Sequence, residues 1–132
     1  MFWIFESSYK SLLNGHSLIP DDVRYYILEL CMSQLFSRIG LLKMNSQISM
    51  QLVGEMKSLE STLKAQFDSI PYFKVIMDYL KIFAFPVEPK EDFIKNFNTI
   101  SAGRFEFTQI LKALDDQRLA MKMYEAFKKI NQ

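Results

Sequence analysis

The sequence predicts an all-α protein, an antiparallel helical bundle of about six to seven helices in a single domain spanning all 132 residues. Three observations carry this reading. Apolar residues recur at three-and-four spacing along most of the chain, which places them on one face of successive helices. Most of the prolines and glycines fall between those runs, where helices start and stop. No stretch alternates apolar and polar residues as a half-buried strand would.

Phe2, Phe5, Tyr9, Leu12 and Leu13 form the stripe of a first predicted helix, with Asn14-Gly15 as its stop. It begins without a capping residue, as though the chain were entered part-way through a longer structure. Pro20-Asp21-Asp22 starts the second, since carboxylates there accept from unpaired N–H groups and favour the positive end of the dipole. Val23, Ile27, Leu30, Cys31, Leu35 and Ile39 are its expected inward face, up to Gly40. Asn45 and Ser46 are candidate caps for a third helix, whose stripe of Leu52, Met56, Leu59, Leu63 and Phe67 is nearly a heptad seam. Gly54 within it costs roughly 1 kcal/mol relative to alanine.

Ser69 and Pro71 open a fourth helix, because proline in a first turn forfeits no needed donor. Lys74, Asp78 and Lys81 give it one narrow wet stripe among apolar residues, so it is expected at the centre of the bundle. Pro86 ends it and pushes Phe85 out of the α region; Pro89, followed by Glu91 and Asp92, starts the next. Phe93, Ile94, Phe97 and Ile100 form that helix's apolar face, and Ser101-Ala102-Gly103 breaks the chain again. Phe107, Ile110, Leu111 and Leu114 mark a sixth helix. Asp115 or Asp116 caps a seventh, with Leu119, Met123, Phe127 and Ile130 inward and Lys128 and Lys129 near its negative end.

Apolar residues make up 49% and aromatics 14%, with 12 Phe against one Trp, enough to pack a full core or to leave apolar area for a partner. Basic and acidic residues number 16 and 15 and are evenly spread, which argues against a phosphate backbone or an anionic lipid surface as the main partner. A lone cysteine, Cys31, excludes an internal disulfide and suits a reducing compartment. Met1–Leu13 lacks the basic start and small-residue cleavage site of a signal peptide, and no apolar run is long enough to span a membrane.

Catalysis is not expected. His16 sits beside a predicted turn, and Cys31 lies on the apolar side of a helix, where it serves as a small hydrophobe. The acid pairs Asp21-Asp22, Glu91-Asp92 and Asp115-Asp116 are neighbours pointing about 100° apart, and all stand at helix starts. No phosphate-cradling loop and no metal-ligand spacing occur, so no catalytic, cofactor-binding or metal residue and no small-molecule substrate are expected. Residues 105–114 and 117–130 allow a helix-turn-helix reading with Lys122, Lys128 and Lys129 on phosphates, but Glu125, Asp115 and Asp116 dilute the field. Pro86-Val87-Glu88-Pro89 matches a bare PxxP ligand, yet its flanks Ile82, Phe83, Phe85, Phe93 and Ile94 favour burial, and a joint between helices is the preferred reading.

Leu80-Lys81, Pro86-Val87-Glu88-Pro89, Phe93-Ile94-Lys95-Asn96-Phe97 and Phe107-Thr108-Gln109-Ile110-Leu111 occur in the order of a known helical region. Together with Ile48-Ser49-Met50, Leu63-Lys64 and Ser69-Ile70 upstream, this arrangement resembles the C-terminal region of the vacuolar protein sorting fifty-three subunit of the GARP and EARP vesicle-tethering complexes. Ala113-Leu114-Asp115-Asp116 stands where that family carries a Lys-Gly-Leu element. The resemblance implies a rod of stacked helical bundles, shared with exocyst and conserved oligomeric Golgi subunits, and a non-catalytic role. The partners it implies are other tethering-complex subunits, SNAREs or membrane-bound factors, with peripheral membrane association through them. The implied place is the cytoplasmic face of trans-Golgi network and endosome membranes, in retrograde transport.

A candidate partner surface combines Arg104, Phe105, Tyr124, Lys128 and Lys129, which mix aromatic and basic character; equally, Phe105 and Tyr124 complete the core. The alternatives are a subunit of another helical-rod tether or a stand-alone helical adaptor, with a nucleic-acid-binding domain behind both.

Overall fold

A computed structural model describes residues 20–86 and 88–130. The predicted helix carrying Phe2 to Leu13, its Asn14-Gly15 stop and His16 lie outside the described residues, as does Val87. The described chain is all-α, with six helices: α1 Asp21–Ile39, α2 Ser46–Lys64, α3 Phe73–Ala84, α4 Lys90–Ser101, α5 Phe107–Ala113 and α6 Gln117–Ile130.

The core is one cluster to which every helix contributes. The α3 helix is its centre: Ile76, Met77, Tyr79, Leu80, Ile82 and Phe83 are all buried, so the helix is enclosed on nearly every side. The backbones of α2 and α4 both approach α3 closely, and α6 packs on α4 and α5. The α1 helix joins through large side chains instead. Phe36 meets Tyr79 edge-on with ring centres 6.0 Å apart, and Tyr25 meets Phe67 at 6.3 Å.

Local chemistry sets the boundaries. The Asn45 side chain accepts from the Ile48 N–H at 2.8 Å and starts α2. Phe85 is extended (φ −74°, ψ 147°) ahead of Pro86, which ends α3. Pro89 occupies the position just before α4 rather than its first turn, after a cis Glu88–Pro89 bond. Asp116, not Asp115, caps α6, accepting from the N–H groups of Arg118 and Leu119 at 3.1 Å each. Ala102 (φ 47°) and Gly103 (φ 82°) both turn left-handed after α4, which only glycine does without steric cost.

A strap joins the α1–α2 link to the α5–α6 link. The Met44 N–H donates to the Ala113 carbonyl at 2.6 Å, and the Asp115 N–H donates to the Met44 carbonyl at 3.0 Å. Beside them Lys43 Nζ donates to the Lys112 carbonyl at 2.7 Å, and Asn45 Nδ2 donates to Asp115 Oδ2 at 2.8 Å. Met44, between these bonds, is fully buried.

Besides the place of Pro89, four sequence expectations change. The inward face of α1 is Leu28, Met32, Leu35 and Ile39, whereas Val23 and Leu30 are exposed and Ile27 and Cys31 half-buried. Apolar side chains surround the first half of this helix, so spacing alone does not choose between its faces. Pro71 lies ahead of α3, which starts at Phe73 after Tyr72 turns left-handed (φ 65°). On α3 the wet stripe is interrupted, because Asp78 is buried while Lys74 and Lys81 are exposed. On α6, Ala120 and Met123 are the buried residues; Ile130, in the last turn beyond the packed face, is 47% exposed.

Candidate interaction surfaces

Arg104 and Phe105 sit in the link between α4 and α5 and are held by the fold. The Arg104 guanidinium donates to Asp78 Oδ2 and, at 3.0 Å, to the Ile100 carbonyl, while its Nε donates to the Ser101 carbonyl at 3.2 Å. Lys74 Nζ donates to the same Asp78 oxygen at 2.9 Å. Burial of Asp78 pulls its pKa upward, but the hydrogen bonds from Arg104 and Lys74 outweigh it and hold the carboxyl below its ordinary value. Phe105 is half-buried, with its ring centre 5.7 Å from Tyr79 and 6.5 Å from Phe36. Its N–H donates to Ser101 Oγ at 3.0 Å, and the Arg104 guanidinium lies 5.6 Å above its ring.

Tyr124, Lys128 and Lys129 lie on α6 and face outward. Tyr124 is 38% exposed, with Lys128 Nζ 4.8 Å from its ring centre, a cation–π pair open to solvent. Lys129 lines a hollow of about 380 Å³ with Lys90, Glu91, Lys122 and Glu125. Arg104 lines a different one, of about 500 Å³, with Tyr25, Glu29, Tyr72 and Lys74. The five candidate residues therefore divide. Arg104 and Phe105 tie α4 to α3 and α1, while on α6 Tyr124 and Lys128 pair with each other and Lys129 faces the mixed-charge hollow beside Lys90 and Glu91.

The surface that sequence reasoning missed is the outer side of α1. Val23 (44% exposed), Tyr26 (60%) and Leu30 (49%) stand opposite Leu28, Met32 and Leu35, with half-buried Ile27 among them. The four occur at i, i+3, i+4 and i+7, a two-turn apolar seam. The signal was present in the sequence as a helix apolar on both sides. Assigning the seam to the core hid it.

Among the described residues no group of three or more His, Cys, Asp or Glu is placed to hold a metal ion, and no helix is long and apolar enough to cross a membrane. Burial raises the pKa of the Cys31 thiol, which keeps it protonated and weakly nucleophilic at neutral pH. Comparison with protein-family models, with characterised proteins and with solved structures finds no match.

Proposed function

We propose that this chain is a non-catalytic interaction module of a multisubunit vesicle-tethering complex acting in endosome-to-Golgi retrograde transport. The observation that carries the interaction role is the α1 seam, where Val23, Tyr26 and Leu30 expose apolar surface on the side of the helix opposite the core. Contiguous exposed apolar surface marks partner sites, and tyrosine is favoured there because its ring combines area with a polar tip. The tethering context rests on the resemblance in order and spacing from Leu80 to Leu111, a stretch in which Pro86 and Pro89 separate two packed helices.

Affinity purification of the endogenous protein, with mass spectrometry of what co-purifies, is the direct test. Tether subunits recovered in stoichiometric amounts are the expected result. A monodisperse protein recovered alone would replace this reading with a stand-alone helical adaptor.

A further inference from the structure

We propose that a hollow beside the joint between α3 and α4 receives an arginine side chain, and the apolar residue next to it, from a partner protein. This rests on reading the chain as an interaction module and adds a second contact, apart from α1, with its own chemistry. The hollow, about 330 Å³, lies where the end of α3, the joint and the starts of α2 and α6 converge. Phe83 and Leu114, both buried, and half-buried Phe85 and Leu119 line it together with exposed Pro86. It stands at the small end of ligand clefts, which run about 300–1,000 Å³, so it admits side chains rather than a whole helix.

The charge on the rim of this same hollow selects the occupant. Glu88, Asp115 and Asp116 line it, and no cation among the described residues does. Glu88 is already paired with Lys90 at 3.1 Å. The two aspartates meet only neutral donors: Asp115 Oδ2 accepts from Asn45, and Asp116 Oδ1 from the N–H groups that start α6. Asp115 Oδ1 and Asp116 Oδ2 are left without a hydrogen-bond partner among the described residues. The starts of α2 and α6 each carry about half a positive charge, less together than these two carboxylates. Arginine suits the rim better than lysine, because its planar fork pairs with carboxylates and its plane stacks on rings such as Phe85. A metal ion fits less well, since the described residues place no group of three His, Cys, Asp or Glu to ligate it.

The test uses the full chain and two capped peptides, Ala-Leu-Arg-Ala and the same peptide with citrulline, the neutral isostere of arginine. Backbone amide shifts locate the site, and their titration at low salt gives the affinity. The arginine peptide should shift Ser46, Phe85, Asp115, Asp116 and Leu119. It should bind about tenfold tighter than the citrulline peptide, with the difference shrinking as salt rises. Asp115→Asn combined with Asp116→Asn should erase that preference with unchanged circular dichroism, because asparagine caps a helix as aspartate does.

Equal binding of the two peptides, shifts elsewhere, no binding, or a preference that survives the double asparagine variant would overturn the proposal. So would calcium binding at the same amides more tightly than the arginine peptide, which would make the rim a metal site. Amides of the hollow that shift in the free chain on Lys10→Ala, with no arginine binding until then, would give the hollow to the chain's own first residues, also against the proposal. The tethering reading fails separately. Its subunits would be missing from the endogenous purification whatever the peptides do.

Discussion

The α1 and α3 helices are both apolar round most of their circumference, yet they have opposite fates. The α3 helix is enclosed: α2 and α4 pack closely along it, and the polar atoms of Asp78 are answered by Arg104 and Lys74. The α1 helix has the core on one side only, so Val23, Tyr26 and Leu30 are left facing outward. Apolar coverage all round a helix therefore states a demand for neighbours. Whether the demand is met depends on where the chain's own elements fall, and the shortfall on α1 is what a partner would supply.

The comparison is broken or sharpened most strongly by truncation on each helix. Phe83→Ala on α3 should cost about 3–5 kcal/mol, since it removes a ring that is 2% exposed and leaves a cavity. Leu30→Ala on α1 should cost less than about 0.5 kcal/mol, as expected for a surface position away from packing and capping features. Chemical denaturation of both variants reads the contrast directly; similar losses would mean that the outer face of α1 is packed in solution.

Next in size is the polar tie that lets α3 be enclosed. Arg104→Ala should cost about 1–2 kcal/mol, toward the lower end of the range for an orphaned buried group because water can reach partly exposed Arg104. Lys74→Ala, removing a side chain 83% exposed, should cost only a few tenths of a kcal/mol. The Asp78 carboxyl titrates below its ordinary value of 3.8, so its stabilisation is present above that pH and is lost as pH falls through the lowered value. In acid titrations followed by circular dichroism, Asp78→Asn should flatten the pH dependence of stability below 3.8.

Asn45→Ala should cost about 1 kcal/mol in thermal melts, because the side chain caps α2 and also donates to Asp115. The smallest effect on stability is expected on α6. Charge reversal at Lys128 and Lys129 should leave circular dichroism unchanged while weakening recovery of tether subunits in pull-downs. Undiminished recovery by the folded variant would remove this surface from consideration and leave the α1 seam.

The fold was legible where a single residue's chemistry decides the local outcome. Asn45 and Asp116 accept from free N–H groups, and Pro86 cannot continue α3, so each boundary follows from the residue itself. Legibility failed where the outcome depends on residues distant in sequence. The face of α1 is chosen by where Phe36 finds Tyr79 and Phe105, not by its own spacing. Asp78 looked wet beside Lys74 because its other partner, Arg104, is 26 residues away. The candidate surface was half legible for the same reason. Lys128 and Lys129 face outward as basic residues at a helix end do, whereas Arg104 and Phe105 are drawn into contacts that composition does not advertise.

The strap at Met44 bears on how the chain comes into being. Its partners on the α5–α6 link lie about 70 residues downstream, a separation whose closure costs on the order of 4 kcal/mol of chain entropy. At typical translation rates that length takes about 4–14 s to synthesise. Throughout that interval the link between the nascent α1 and α2 lacks the acceptor for the Met44 N–H and the donor for its carbonyl. The first half of this protein must therefore wait, with its link unfastened, for residues the ribosome has yet to add.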